Sequence, residues 1–527
     1  MRRFFSLMLT LPLIFSLAAC GQENEIEIPN YEGVQIVLSD ESITVDGKKI
    51  GTDGAVYAAH DIVYYEDGHE FTYGEGEAKD AHSAEEAAGH TVVHIAEPGT
   101  YVLSGTLSAG QIAVDLGEDA ENDPNAVVTL VLSGVDITCT VAPAVIFYRV
   151  YECGDADHPT MTVDTTAAGA NILLAEGTEN TVNGAYVARI YKSVTLSQDG
   201  TQVLDSKKLH KYDGAVYSKM SMNIDGTGTL NVNAENEGVD SEMHLTVNGG
   251  NLNIISGDDG INTNEDNVSV TTINGGFVNI RVSGSYAGEG DGIDSNGWLV
   301  INGGTVMAAA CGQSQDSGID SDCGIYLNGG TVISTGNMLD ALQGKQNYAV
   351  FTFREKQSAG QTYCLKNAEG VAAAEVTPAN DFTNLVISAP DMTEGEYTLW
   401  QGDTQLSGSS GMGGPGMGGM GDPNMGERPA LPEDMTPPED MTPPEGMEFP
   451  ENGRPPEMGK DPRVEENGEP PEKPGGDMPG FDRRPQDEGE VPPMPGDVGT
   501  IGFGGGFPGN ASQTFTMVSG GNFFMIV

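Results

Sequence analysis

Val247-Asn248-Gly249-Gly250, Ile273-Asn274-Gly275-Gly276, Ile301-Asn302-Gly303-Gly304 and Leu327-Asn328-Gly329-Gly330 are four copies of one turn, 26, 28 and 26 residues apart. A fixed period of this length marks a stack of repeated units. What lies around each turn says which kind. Leu245 and Val247 alternate with His244 and Thr246, and beyond the turn Leu252 and Ile254 alternate with Asn251 and Asn253. Apolar residues at every second position are a strand signature. Nothing from Gly214 to Gly336 carries helical spacing, which excludes leucine-rich and helical repeats. The Gly-Gly-x-Gly-x-Asp nonapeptide of calcium-binding rolls is also absent. The expected fold is therefore all-β: a right-handed parallel β-helix, since parallel crossovers are overwhelmingly right-handed. Asn248, Asn274, Asn302 and Asn328 would then stack as an amide ladder at one corner.

A second series precedes each of these turns. Glu237-Gly238-Val239-Asp240-Ser241-Glu242, Asp259-Gly260-Ile261-Asn262-Thr263-Asn264, Asp291-Gly292-Ile293-Asp294-Ser295-Asn296 and Ser317-Gly318-Ile319-Asp320-Ser321-Asp322 align on their glycines. Oxygen-bearing side chains fall just before the glycine, two after it and four after it. The aliphatic residue one after it should point inward, which leaves positions two and four on the outer face. Between Ala234 and Ile325 there are 14 acids and one base, Arg281. Strands stacked about 4.8 Å apart would pile these carboxylates into a stripe. Like charges that close repel, so a cation should neutralise them. Carboxylate and amide oxygens without a His or Cys set select Ca²⁺. The alternative is that these are solvated turn residues, because Asp, Asn, Ser and Gly favour turns for their own reasons.

The same alternation puts Trp298, Val300, His244, Val270 and Tyr326 outward. Trp298 is one of two tryptophans, and an exposed aromatic on a rigid sheet is a sugar-stacking candidate. Tyr326 joins it as a ligand-binding candidate. Tyr286, in the loop from Gly284 to Gly290, either joins them or lies in a loop that covers the tryptophan. Trp400 reads as core.

Outward from the repeats, the chain has 78 acidic and 24 basic residues, a net charge of −54. That excludes nucleic acid as a partner, since phosphate binding needs a basic footprint. Residues 1–20 read as an export signal ending Leu17-Ala18-Ala19-Cys20, which resembles the lipobox of bacterial lipoproteins with Cys20 as the lipidated residue. An ordinary cleaved signal is the alternative. The membrane would be reached through this lipid alone, placing a monomer on the outer face of the bacterial cytoplasmic membrane. Residues 21–90 read as a tether and β-rich entry segment, 91–346 as the β-helix, and 347–407 as a small β cap over its end. Of 29 prolines, 21 lie between Met412 and Asn510. Residues 408–510 are therefore expected to be a disordered acidic Gly/Met/Pro-rich segment. Residues 511–527 turn apolar again and are expected either to dock on the body or to act as an interaction tag. The cysteines after Cys20 read as small buried hydrophobes, with Cys139–Cys153 as a candidate bridge.

Thr100 to Leu107, the Asn-Gly-Gly turns, Gly257 to Asn262 and Gly290 to Ser295 resemble a clostridial family of carbohydrate-binding proteins. The resemblance covers roughly Thr91 to Gly344. It implies a right-handed parallel β-helix like that of polysaccharide lyases, bound calcium, and binding of cellulose and acidic plant polysaccharides. It further implies Asp258, Asp259, Asn262, Asp291 and Asp294 as calcium ligands; the column register adds Glu237, Asp240, Asn296 and Asp320. The expected function is a calcium-stabilised, non-catalytic binder of plant or cell-wall polysaccharide, with no catalytic residues assigned. A uronate lyase or a hydrolase is the second reading. The lyase needs a base beside its Ca²⁺, and Lys219 and Arg281 are the bases from Gly214 to Gly344. A structural protein or adhesin with a protein partner is the third.

Overall fold

Aliphatic side chains are stacked in register down the interior of the chain. Leu230, Leu252, Val278, Val306 and Val332 are consecutive partners on successive strands, and every one is fully buried. Removing each such side chain from water stabilises the fold by about 1.5–3 kcal/mol. The structure, a computed structural model, describes residues 31–60, 62, 84–186, 191–196, 203–208, 212–410 and 511–527. The export segment with Cys20 and the segment 411–510 lie outside them. The described residues are all-β, in large sheets, with a short helix, Ala84–Ala88, and a 3-10 turn, Ala120–Asn122.

The first two repeats contribute three strands each, and the next two contribute two. Glu237–Ser241, Leu245–Val247 and Asn251–Ser256 make one repeat, and Ile261–Thr263, Val270–Ile273 and Phe277–Val282 the next. Their strands pair in parallel one repeat on, so three ladders run side by side; beyond Ile261–Thr263 the first continues as a single bridge, Ile261 to Ile293. The first is the acidic ladder. The second carries Trp298. The third, which includes Thr229–Ala234 and Thr305–Ala309, is here called the amide ladder.

The Asn-Gly-Gly turns join the second ladder to the third. Their amides bond as expected: Asn274 Nδ2 donates to Asn248 Oδ1 at 2.9 Å, Asn302 to Asn274 at 2.9 Å and Asn328 to Asn302 at 3.1 Å. The second glycine of each turn has φ between 75° and 90°, a left-handed conformation that costs other residues about 1–2 kcal/mol.

The sheets are mixed, which corrects the expectation of a purely parallel set. Val34–Leu38 pairs antiparallel with Thr44–Val45, Val56–Ala59 with Thr91–Ile95, and Thr331–Gly336 with Phe382–Ser388. These antiparallel strands cover edges that a stack of parallel strands would leave unpaired. Beyond the last repeat a second core forms around Phe351, Tyr363, Phe382, Phe515 and Phe524. Its C-terminal strand, Gly521–Ile526, lies parallel to Tyr348–Gln357 and antiparallel to Gly408–Ser410. The apolar C-terminal residues are thus docked.

Two smaller expectations are corrected. Cys139 and Cys153 are both free thiols. Cys139 sits in the main core, whereas Cys153 is half-buried in the segment that runs over the outer face of the second ladder. Trp400 is half-buried rather than core, with Lys366 Nζ 4.7 Å from its ring centre.

Candidate functional site

The aligned glycines of the acidic series stand in one column. Gly238 N–H donates to Asp259 O, Gly260 N–H to Asp291 O and Gly292 N–H to Ser317 O. A Cβ on Gly260 would meet Ile280 Cγ2 at 2.1 Å and Gly292 O at 2.5 Å. Gly260→Ala is therefore expected to lower stability by about 1–3 kcal/mol through overpacking. A denaturant midpoint equal to wild type would show that the column can move apart.

This column sets the carboxylates. Glu237, Asp259 and Asp291 precede its glycines, and Asp240, Asn262, Asp294 and Asp320 follow in a second column, with Asp240 opposite Asn262. Two groups form along it. Carboxylate oxygens of Asp213, Glu237 and Asp240 lie within 4.8 Å of one another, and so do those of Asp291, Asp294 and Asp320. Asp240 is 0 % and Asn262 2 % exposed. This corrects the expectation of a solvated outer face at the second position. The amides of the neighbouring repeat close over it: Asn262 Nδ2 donates to Glu237 Oε1 at 2.9 Å and Asn264 Nδ2 to Asp240 Oδ1 at 2.8 Å.

Burial and mutual repulsion push the lower acids up. Asp259 is raised well above the carboxylate range by burial and then by Glu237 and Asp294. Asp291 is raised to about 8 by burial and then by Asp320. Asp320 is raised to about 7 by burial and then by Asp340. Two bare carboxylates at such separations repel by roughly 3 kcal/mol at an effective dielectric constant near 20.

The donor set fits a hard divalent cation. Besides the carboxylates, the amide oxygens Asn236 Oδ1, Asn262 Oδ1 and Asn264 Oδ1 are buried and accept no hydrogen bond. Asn236 adjoins Glu237, while Asn262 and Asn264 hold Glu237 and Asp240 through their nitrogens. Such oxygens are costly to bury without a partner.

Of the residues expected as ligands, Glu237 and Asp240 are brought together with Asn262 beside them, and Asp291, Asp294 and Asp320 make the second group. Asp259 is held at the second group, its Oδ1 accepting the Asp291 N–H at 2.6 Å. Asp258 is half-buried against Gly290. Asn296 belongs to neither group: its Nδ2 donates to Asn264 O at 2.8 Å and to Asp266 Oδ1 at 3.3 Å. Asp213 was missed. The register sets Gly214 opposite Glu237, one position ahead of the glycine column, and Tyr217 opposite Asp240, where the other repeats carry Asp or Asn.

On the second ladder Trp298 and Tyr326 are both half-buried. Val300 pairs with Tyr326, so Trp298 and Tyr326 share the outer face on neighbouring strands, and Gly324 lies opposite Trp298 with the Gln343 amide beside it. Tyr286 does not join them. It meets Tyr186 edge to face, ring centres 4.9 Å apart.

His244 and Val270, expected outward, are buried; His244 is 2 % exposed. The long connection from Tyr151 to Gly169 folds over this end of the face. Glu152 anchors it by accepting the Ser221 N–H and O–H, both at 2.6 Å, and Thr165 O–H is within bonding distance of Asn223 Oδ1 and Thr246 Oγ1. Burial under it lowers His244 to about 4, and its Nδ1 accepts the Val270 N–H at 3.1 Å. The aromatic pair lies two repeats further along the ladder.

A family model described as carbohydrate-binding domain-containing protein matches residues 89–376. A curated relative of that description from Acetivibrio thermocellus is 30% identical over 163 residues, 31% of this chain and 44% of the relative. The chain therefore spans under half of that relative's length. The solved structure of a polysaccharide lyase-like protein from C. thermocellum, a gadolinium derivative, is 19% identical and covers 60% of this chain and 95% of its own, at a TM-score of 0.36.

Proposed function

Because the chain belongs to the family of carbohydrate-binding domain-containing proteins, matched over residues 89–376, we propose that it is a calcium-stabilised, non-catalytic polysaccharide binder. The repeats are the turns of one right-handed β-helix whose faces are the three parallel ladders, and the stacked carboxylates hold its Ca²⁺. One observation carries the reading most directly: Trp298 and Tyr326, both partly exposed, share the outer face on neighbouring strands. Aromatic rings on a rigid sheet offer a sugar ring a flat apolar contact with little conformational entropy to lose.

Asp213, Glu237, Asp240 and Asn262 would hold one ion and Asp291, Asp294 and Asp320 another. Bound calcium would supply positive charge to the stripe and cancel the repulsion within each group. Of the two bases a lyase could use, Lys219 has its Nζ 4.8 Å from the Tyr148 ring centre, and Arg281 lies on a different ladder from the carboxylates. It is exposed on the strand Phe277–Val282 of the amide ladder, with its Nε 3.4 Å from Asn380 Oδ1. That placement argues against Arg281 as the base of a lyase. A lipid on Cys20 would hold the protein at the outer face of the cytoplasmic membrane.

Trp298→Ala is expected to weaken retention on a glycan by about tenfold or more while leaving the melting temperature near wild type, because the ring is a partly exposed anchor. Co-sedimentation and affinity electrophoresis against cellulose, pectin and polygalacturonate measure it. Wild-type protein that releases reducing ends or unsaturated products would replace the binding reading with an enzyme. Retention of a secreted protein and no glycan would favour an adhesin.

A further inference from the structure

The corner asparagines Asn248, Asn274, Asn302 and Asn328 are each followed by glycine, and the four pairs differ in how they are held. At an Asn-Gly pair the glycine nitrogen can attack the Asn side-chain carbonyl carbon, because no Cβ blocks its approach. The N–Cγ bond forms and the Cγ–Nδ2 bond breaks. The amide leaves as ammonia, carrying the proton that the glycine N–H gives up. Water then opens the five-membered imide at either carbonyl, to aspartate or to isoaspartate. No electron is transferred. Hydrogen bonds that hold the side-chain amide, or that occupy the glycine N–H, oppose the attack.

Asn274 and Asn302 are held at both ends of the amide, donating to one neighbour and accepting from the next. Asn328 is held through its nitrogen. The glycines after Asn302 and Asn328 are occupied too: Gly303 N–H donates to Ile273 O at 3.3 Å and Gly329 N–H to Ile301 O at 3.2 Å. Asn248 stands at the other end of the series. It is exposed and accepts the Asn274 bond. Among the described residues, neither its Nδ2 nor the Gly249 N–H has a hydrogen-bond partner. A carboxylate stands beside this turn. Ile224 pairs with Val247, so Asp225 occupies the corner column one strand before Asn248. Its Oδ1 accepts the Gly226 N–H at 2.7 Å and lies 2.7 Å from where a Cβ on Gly249 would stand. At Gly275, Gly303 and Gly329 the nearest atoms to that position are all backbone.

We propose that Asn248 is a self-deamidation site, with Asp225 as the base that takes the Gly249 proton. A positioned carboxylate speeds such a proton transfer, and the exposed corner admits the water that completes the reaction. The fold tolerates the product at this position. An aspartate at 248 still accepts the bond from Asn274 Nδ2. At Asn274, Asn302 or Asn328, loss of the nitrogen sets two oxygens against each other, because a carboxylate accepts and does not donate. The isoaspartate form adds one methylene to the main chain in the turn that joins the second ladder to the third. The corner therefore records the age of the chain, by a chemistry that does not depend on what the protein binds.

The test ages the full chain in neutral buffer and follows each Asn-Gly pair by peptide mapping, with enzymatic labelling of isoaspartate as a second count. Asn248 is expected to convert about tenfold faster than Asn302 or Asn328, because fewer hydrogen bonds oppose it. In denaturant, where the four pairs lose these differences, their rates should draw together. Asp225→Ala is expected to slow conversion at Asn248 by about tenfold or more and to leave the other three pairs as they are. Should that variant melt early, the comparison of folded with denatured wild type decides. Equal rates at the four pairs in the folded chain overturn the inference. So does an Asn248 that leads by as much in denaturant, or a folded Asp225→Ala chain that converts Asn248 at the wild-type rate.

Discussion

Treating the purified chain with EGTA is expected to lower its unfolding temperature by about 5–10 °C, and added Ca²⁺ restores it. The estimate comes from linkage. An ion present at a hundredfold over its dissociation constant stabilises by about 2.7 kcal/mol, and two carboxylate groups make two such contributions. One kcal/mol shifts the transition by about 2–4 °C in a body of 150–250 residues, and by less in a longer one. Mg²⁺ should restore little, because it demands near-octahedral geometry and gives up its water reluctantly. A transition unmoved by EGTA, together with no calcium by elemental analysis, would remove the ion from the account.

The pH dependence of the metal-free protein has a definite sign. Asp291 and Asp320 are raised from 3.8 to about 8 and about 7. The folded chain therefore keeps protons that the unfolded chain has already released. The stability these protonated groups contribute is fully present below about pH 4 and is lost as pH rises through 7 and 8. Calcium inverts the trend, because it displaces those protons and binds more tightly as pH rises. Melting curves at pH 5 and pH 8.5, with EGTA and with Ca²⁺, should cross. Parallel curves would mean that these acids do not hold the ion.

The acidic columns were legible because the repeats contact their nearest neighbours at a nearly fixed period, so spacing along the chain becomes height along the stack. Gly238, Gly260, Gly292 and Gly318 stand above one another for that reason, and the corner asparagines bond as their spacing implies. The resemblance drawn from Thr91 to Gly344 agrees with the family match over 89–376. Legibility stopped where contacts leave the period. The connection from Tyr151 to Gly169 buries His244, about 80 residues later in the chain, and no local pattern announces it. Asp213 was hidden because its repeat has Tyr217 where the others carry an oxygen ligand. Asp240 and Asn262 were placed in the right column but on the wrong side of the solvent boundary. Alternation gives the direction of a side chain, not what closes over it.

The C-terminal strand is another long-range contact of this kind, and removing it should have the largest effect. Ending the chain at Asn510 deletes Phe515, Met517, Phe524 and Ile526, each no more than 4 % exposed. At about 1.5–3 kcal/mol apiece, their burial is worth roughly 6–12 kcal/mol as an upper estimate. Phe351, whose ring centre lies 5.5 Å from Phe515 and 5.4 Å from Phe524, would lose both partners. The strand Tyr348–Gln357 would also lose the neighbour along one of its sides. The second core is therefore expected to unfold well before the ladders. Trp298 and Trp400 are the two tryptophans, so in a Trp298→Phe background the fluorescence of Trp400 reports this core alone. Its midpoint in denaturant should fall steeply in the truncated chain. Excising 411–510 and joining Ser410 to Ala511 through a short Gly/Ser linker should leave that midpoint in place. Gly408 and Ser512 exchange backbone hydrogen bonds of 2.8 and 2.7 Å, so the two ends already meet. A truncated chain whose Trp400 transition matches wild type would show that the C-terminal strand rests on the second core without holding it together.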